Sequence, residues 1–313
     1  MSNNTIKNIT LFGPGMMGSG IAQVFAACEE LKVTIFIREK FEYECMDKIN
    51  SNLNFLKEKK AITEDEAAGI LSRISLTEDM IIATKDADFV VECIPENMEL
   101  KQSLFMNLEK LCKEDTIFAT NTSVMSITEI SEKTINKARV IGTHFWNPPY
   151  LIPLVEVIKS NYTSEEVMDK TMELLQNAKK HPIRVNKDVP GFVANRLQHA
   201  LWREAISIVE NNIADAATVD EAIKYSFGLR LPILGPMENS DMVGTDLTLS
   251  IHSYLLKYLE NSTEPSSLLK EKVAVGDLGF KSGRGFQSWS KEESARANDR
   301  LREYLVDTLY GNK

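Results

Sequence analysis

Two groups of residues in this 313-residue chain have types and spacing suited to chemistry. The first is Gly13-Pro14-Gly15-Met16-Met17-Gly18, a G-x-G-x-x-G between the apolar run 6–12 and a helical pattern that starts at Met16. Glycine-rich turns hold dinucleotides in that strand-to-helix setting. The first glycine permits a tight turn, the second lets a pyrophosphate approach the backbone, and the third lets helix and strand pack closely. The helix N-terminus adds unbonded N–H groups and a favourable dipole. Pro14 lacks an N–H, so donors must come from residues such as Met16 and Met17. A plain glycine turn is the competing reading, and the strand-to-helix context argues against it.

The second group lies in residues 140–158, VIGTHFWNPPYLIPLVEVI. Apolar runs flank Asn147-Pro148-Pro149-Tyr150, and a reversal centred on Tyr150 puts His144 opposite Glu156. Side chains so placed touch across an antiparallel pair. Oxidising an alcohol requires a base for the hydroxyl proton, and histidine suits that role near neutral pH. A carboxylate beside it fixes the tautomer and stabilises the imidazolium. An acidic residue inside LVEVI also requires a partner. A structural hydrogen bond explains the pair equally well, and spacing leaves both readings open. His181 precedes a proline and reads as a loop residue, while His199 and His252 read as structural or interface residues.

The elements that must position these groups follow from periodicity. Short apolar runs at 6–12, 33–37, 89–94, 116–119, 140–145 and 154–158 alternate with helical patterns at 16–30, 41–59, 99–112 and 164–179. Strand and helix in alternation predict an α/β, Rossmann-type doubly wound parallel sheet covered by helices on both faces. Past Val185 the pattern changes: Asp188-Val189-Pro190-Gly191 signals a turn, and nearly everything beyond reads as helix. The expected domains are therefore 1–186, binding the dinucleotide, and an all-α C-terminal domain over 187–313.

An acidic residue ending the second strand completes a dinucleotide site by taking the ribose hydroxyls. Here Ile37 stands at the expected position, followed by Arg38 and Glu39. Glu39 serves NAD if the strand ends later, whereas Arg38 beside Ile37 would suit a 2′-phosphate and NADP. NAD leads, with NADP open.

Composition narrows the remaining classes. Hydrophobic residues at 43% and charged residues at 26% are ordinary for a globular protein, and the length suits two domains. A net charge of −9 argues against a nucleic-acid face. Cys28, Cys45, Cys93 and Cys112 form no CxxC pair and read as reduced, mostly buried thiols, with no metal site. No apolar run reaches membrane-spanning length and no signal peptide is visible, so the expectation is a cytoplasmic protein without membrane partners.

Seven segments, in order, resemble the 3-hydroxyacyl-CoA dehydrogenase family: 13–26 (GPGMMGSGIAQVFA), 87–105 (ADFVVECIPENMELKQSLF), 121–130 (NTSVMSITEI), 143–158 (THFWNPPYLIPLVEVI), 189–198 (VPGFVANRLQ), 241–248 (DMVGTDLT) and 279–286 (GFKSGRGF). They span almost the whole chain. The resemblance implies a homodimeric NAD-dependent oxidoreductase of fatty acid metabolism, oxidising a 3-hydroxyacyl-CoA to the ketone. It implies His144 as general base and Glu156 as its orienting partner. Ser123 and Asn195 would bond substrate or His144, being uncharged groups suited to a carbonyl whose charge shifts. By resemblance alone, Glu96, Lys101, Ser123, Asn147 and Lys281 lie near the cofactor. The plain reading of Lys101 and Lys281 is solvated surface charge.

Substrate features are mixed. The family's CoA contacts lie on the helix after the second strand, where this chain has Asn52, Lys57, Lys59 and Lys60. A solvated helix face explains those lysines equally well. Asn195-Arg196-Leu197-Gln198 and Gly228-Leu229-Arg230 resemble the gulonate dehydrogenase and lambda-crystallin branch, which acts on free hydroxy acids. Arg230 would there bind a substrate carboxylate, unless it is a surface or interface charge. Pro232 and Asp241-Met242-Val243-Gly244 lean towards the acyl-CoA enzymes. The thioester leads, with a free 3-hydroxy acid as the alternative. A non-catalytic NAD-binding protein is a third reading, opposed by the joint presence of Ser123, His144, Glu156 and Asn195.

Overall fold

The computed structural model describes residues 6–38 and 42–311. Eight strands form one sheet in the order β3-β2-β1-β4-β5-β6-β7-β8. They are β1 (Asn8–Phe12), β2 (Lys32–Phe36), β3 (Ile74–Thr77), β4 (Phe89–Glu92), β5 (Ile117–Thr120), β6 (Val140–Phe145), β7 (Leu154–Ile158) and β8 (His181–Val185). Helices α1 (Met16–Ala26), α2 (Glu42–Glu58), α3 (Glu64–Ser72), α4 (Met80–Thr84), α5 (Met98–Leu111), α6 (Ile127–Ile130) and α7 (Glu165–Asn177) connect them. The central strands β4, β5 and β6 are buried throughout, which is why they read as continuous apolar runs. Two apolar clusters fill the core: one includes Leu11, Phe25 and Ile35, the other Val90, Phe105 and Phe118.

The doubly wound sheet is the expected one, with one reversal. β6 and β7 are antiparallel and β7 pairs parallel with β8, so the last two strands oppose the rest. The β6–β7 register sets His144 against Glu156, the pairing the turn predicts. Between β1 and β4 the winding direction changes, and ligands of such sheets bind in the crevice at that point.

His181 is not a loop residue. It begins β8, its N–H donates to Pro153 O, and Pro182 is tolerated because β8 is an edge strand.

The chain divides into two compact units, Met1–Ala194 with Leu301–Lys313, and Asn195–Arg300. Residues 187–194 stay with the sheet instead of leaving it at Asn186. The Asp188 carboxylate accepts from Ser126 Oγ and Thr128 N, and Phe192 is buried in the second cluster. At the other end, Val306 is buried beside Leu56 and Leu151, and Lys59 pairs with Glu303 at 2.6 Å. The second unit is helical, with α8 (Ala194–Glu210), α9 (Ala216–Lys224), α10 (Pro236–Val243), α11 (Thr245–Leu255), α12 (Ser267–Ala274) and the first half of α13 (Lys291–Tyr310).

All four cysteines are free thiols. Burial pushes the Cys93 thiol far above its usual range and that of Cys112 to about 11, which makes them poor nucleophiles. Among the described residues, no helix is long and apolar enough to cross a membrane and no His, Cys, Asp or Glu cluster could hold a metal ion.

Candidate active site

The carboxyl ends of β1, β4, β5 and β6 carry most of the residues singled out above. After β1, Gly13 adopts φ +105°, and a Cβ there would lie 2.4 Å from Cys93 O. A Cβ on Gly18 would lie 1.9 Å from Gly13 O. Gly15 differs: a Cβ there meets nothing within 4 Å. Packing therefore requires the first and third glycines, while the second faces open space. No side chain caps α1, and its first turn holds no acidic residue. Uncapped N–H groups beneath an open glycine fit the pyrophosphate of a dinucleotide. Two substitutions separate these roles. Gly18→Ala should destabilise the fold by more than about 2 kcal/mol, since backbone must move. Gly15→Ala should leave the melting temperature of the cofactor-free protein unchanged and weaken NADH binding. Calorimetry with a fluorescence titration of NADH checks both, and an unaltered NADH affinity in Gly15→Ala would remove this turn as the cradle.

At the end of β2, Ile37 is buried in the core and its N–H bonds Thr77 O at 3.0 Å. The position expected to be acidic is thus an apolar core position, and Arg38 after it is exposed. Glu39 lies outside the described residues.

After β4, the Glu96 carboxylate accepts from Thr122 Oγ1 and from Ser123 N, each at 2.9 Å. Lys101, on α5, is only 1% exposed, so it is not a solvated surface charge. Its ammonium bonds Glu92 Oε1 at 2.7 Å and Ile94 O at 3.2 Å, and lies 3.3 Å from Glu96 Oε2. Glu92, at the end of β4, also accepts from Ile94 N and Thr120 Oγ1. Burial pushes its carboxyl up, partly offset by Lys101. Sequence reasoning passed over Glu92, although an acid inside FVVECI carries the same signal as Glu156 inside LVEVI.

On β6 and β7, His144 Nδ1 lies 2.8 Å from Glu156 Oε2, and both side chains are buried. Trp146 Nε1 donates to the same oxygen at 3.4 Å. The other oxygen accepts from Val193 N at 2.9 Å and Ala194 N at 3.0 Å. Burial raises the Glu156 carboxyl, but the bonds from His144, Ala194 and Val193 outweigh it and hold the group below its usual range. An ionised carboxylate at Nδ1 assigns the ring proton to that nitrogen and leaves Nε2 with its lone pair. The rings of Trp146 and Phe192 pack on the imidazole at 5.5 and 5.6 Å between centroids. Asn121 Oδ1 accepts from Phe145 N, tying the turn that carries Ser123 to β6. Asn147 is exposed on the turn after β6.

Asn195, Arg230 and Lys281 belong to the second unit, where Arg230 and Lys281 are exposed. Of the lysines at the end of α2, Lys57 bonds both oxygens of Glu64 and Lys59 pairs with Glu303, while Lys60 has φ 56°.

Residues 8–189 match the 3-hydroxyacyl-CoA dehydrogenase NAD binding domain, and residues 191–289 match the C-terminal domain of that family. The chain is 38% identical over 290 residues to a probable 3-hydroxybutyryl-CoA dehydrogenase of Bacillus subtilis, covering 92% of this chain and 99% of that one. Among solved structures, 5-formyl-3-hydroxy-2-methylpyridine 4-carboxylic acid 5-dehydrogenase, an NAD+-dependent dismutase, matches with a TM-score of 0.88 and 30% identity, covering 97% of each chain. The (S)-3-hydroxybutyryl-CoA dehydrogenase of Ralstonia eutropha matches with a TM-score of 0.77 and 33% identity, covering 91% of this chain and 100% of that one. The cofactor is NAD, which decides the choice that Ile37 and Arg38 left open. The chain belongs to the 3-hydroxyacyl-CoA dehydrogenase family and is an NAD-using enzyme acting on a CH–OH group.

Proposed function

We propose that the protein interconverts a 3-hydroxyacyl compound and its ketone, with His144 as the base and Glu156 as its orienting partner. The observation that carries this reading is the buried contact of His144 Nδ1 with Glu156 Oε2 at 2.8 Å. His144 Nε2 takes the hydroxyl proton as the alcohol is oxidised, and the imidazolium formed is stabilised by the adjacent carboxylate. In the reverse direction Nε2 returns that proton to the carbonyl oxygen. Ser123 and Asn195 hold the reacting oxygen as uncharged hydrogen-bonding groups. Bound NAD supplies the two-electron acceptor for the carbinol carbon. Gly13, Gly15, Met16, Met17 and Gly18 would cradle its phosphates, with Glu39, Glu96, Asn147 and Lys281 along the rest of the molecule.

The family's own substrate class, a CoA thioester, is the first reading of what carries the 3-hydroxyl. A free hydroxy acid is the second, with Arg230 as the carboxylate clamp. Two observations favour the second: Lys57 and Lys59 are already neutralised by Glu64 and Glu303, and the fold matches the pyridine-carboxylate dehydrogenase more completely than the 3-hydroxybutyryl-CoA enzyme. NADH oxidation with acetoacetyl-CoA and with a free 3-keto acid distinguishes them. Under the second reading, Arg230→Ala raises KM for the free acid about tenfold to a hundredfold, the worth of a charge-assisted bond. An unchanged KM sinks that role.

The second unit exposes Met242, Leu247, Ile251 and Tyr254, which supports a homodimer, to be checked by mass in solution. Free thiols at all four cysteines support a reducing, cytoplasmic setting.

A further inference from the structure

The turn between β6 and β7, residues 146–153, holds three prolines, and proline has no N–H to donate. Within it, Leu151 N and Ile152 N both donate to Pro148 O. The carbonyls of Pro149 and Ile152 take their donor from outside, since Lys180 Nζ lies 2.6 Å from each. The backbone of Lys180 is anchored on both sides. Its N–H donates to Leu175 O in α7, and the next residue, His181, opens β8 and donates to Pro153 O. No carboxylate pairs with the half-buried ammonium among the described residues, and burial pushes it down to about 8, which leaves it mostly protonated at neutral pH. A charge withdrawn from water requires hydrogen-bonding partners, and the two turn carbonyls are what this one has.

The same turn meets α1. Pro149 is buried, and a Cβ on Gly20 would lie 3.1 Å from its Cγ and Cδ. Glycine inside a helix is unfavourable relative to alanine, so close approach is the physical reason for one here. Gly18, on the same helix, packs against Gly13 and Cys93. The first turns of α1 therefore touch both the glycine turn and the β6–β7 turn. Two further contacts hold the middle of the β6–β7 turn: Tyr150 Oη accepts from Arg302 at 3.1 Å, and Leu151 is buried with Leu56 and Val306. Lys180 holds the residues on either side of that pair.

We propose that Lys180 is a positioning residue for hydride transfer: it clamps the β6–β7 turn so that Pro149 seats on Gly20, which fixes the start of α1, and with it the bound cofactor, against the strand that carries His144. The proposal rests on the reading of His144 as the base.

The test is a double-mutant cycle of Lys180→Met and Gly20→Ala, assayed well below the lowest melting temperature with whichever of acetoacetyl-CoA and a free 3-keto acid is turned over. Lys180→Met lowers kcat about tenfold and retains NADH affinity. That is part of the roughly hundredfold cost of a 1 Å misplacement, because Tyr150 and Leu151 stay held. Gly20→Ala keeps both Lys180 bonds and pushes on the Pro149 ring from α1, so kcat falls by a similar factor. The losses do not multiply: with the clamp released the ring gives way to the new methyl, and the double variant is about as active as Lys180→Met. Parental kcat in Lys180→Met overturns the proposal, because the two bonds are then merely structural. A double variant whose loss is the product of the single losses overturns it as well, because positions 20 and 180 then act independently. If Lys180→Met does not fold, Gly20→Ala decides alone, and parental kcat there leaves the seat without a role. His144→Gln is the reference. If it is slow while Lys180→Met is parental, the proposal alone fails; if it is fully active, the reading of His144 fails and carries the proposal with it.

Discussion

With His144 replaced by glutamine, the protein should bind NADH as the parent does and turn over about a thousandfold more slowly, the upper range for removing a general base. The glutamine amide reaches the space of the imidazole and can still donate to Glu156 Oε2, so the β6–β7 pairing and the bonds from Val193 and Ala194 persist. What disappears is the Nε2 lone pair. The glycine turn after β1 lies on another strand of the sheet and keeps its geometry. The effect should therefore fall on kcat, with NADH affinity as the internal control. Steady-state rates and a fluorescence titration separate the two, and a kcat within threefold of the parent would remove His144 as the base.

Glu156→Gln should be as severe for a different reason. Glu156 accepts from four donors, two at each oxygen. An amide has one acceptor atom and one donor. Turning its oxygen towards Val193 and Ala194 satisfies both N–H groups and points its NH2 at His144 Nδ1. That nitrogen must then accept, which moves the ring proton to Nε2 and leaves no base where the substrate hydroxyl binds. Wrong-tautomer substitutions of this kind lose about 10^4-fold in kcat in a His–carboxylate pair. The same residue contributes to acid stability. Its carboxyl sits below the usual 4.5 in the folded state, so its contribution is present above that pH and is lost as the pH falls towards the depressed value. Glu156→Gln should flatten that part of the stability profile below pH 4.5, read from melting temperatures. An unchanged profile would mean that the carboxylate is not held ionised by these bonds.

The site was legible where local rules dictate structure. Glycines at a strand end leave few alternatives, and an acid inside an apolar strand demands a partner, which the turn at Tyr150 places. Legibility ended where partners come from distant segments. Lys101 reads as a surface charge because its helix is amphipathic by pattern, and only packing of α5 against the end of β4 brings Glu92 to it. Residues 64–84 hold α3, β3 and α4, which periodicity missed: these elements are short and β3 is an edge strand of intermediate burial. The final turns of α13 return to the first unit through Val306 and Glu303, against the end of α2 and the turn after β6, contacts no local pattern announces. The cofactor choice was illegible because Ile37 points into the core, and the family match supplied it.

The most direct measurement is the fate of deuterium from NADH labelled at the transferring carbon, in reactions of the purified full chain with acetoacetyl-CoA and with a free 3-keto acid. The proposed chemistry predicts that one of these substrates yields a 3-hydroxy product bearing deuterium on the hydroxyl-bearing carbon, in step with the loss of nicotinamide absorbance, and that His144→Gln forms it about a thousandfold more slowly. NADH binding without any labelled product from either substrate would contradict it.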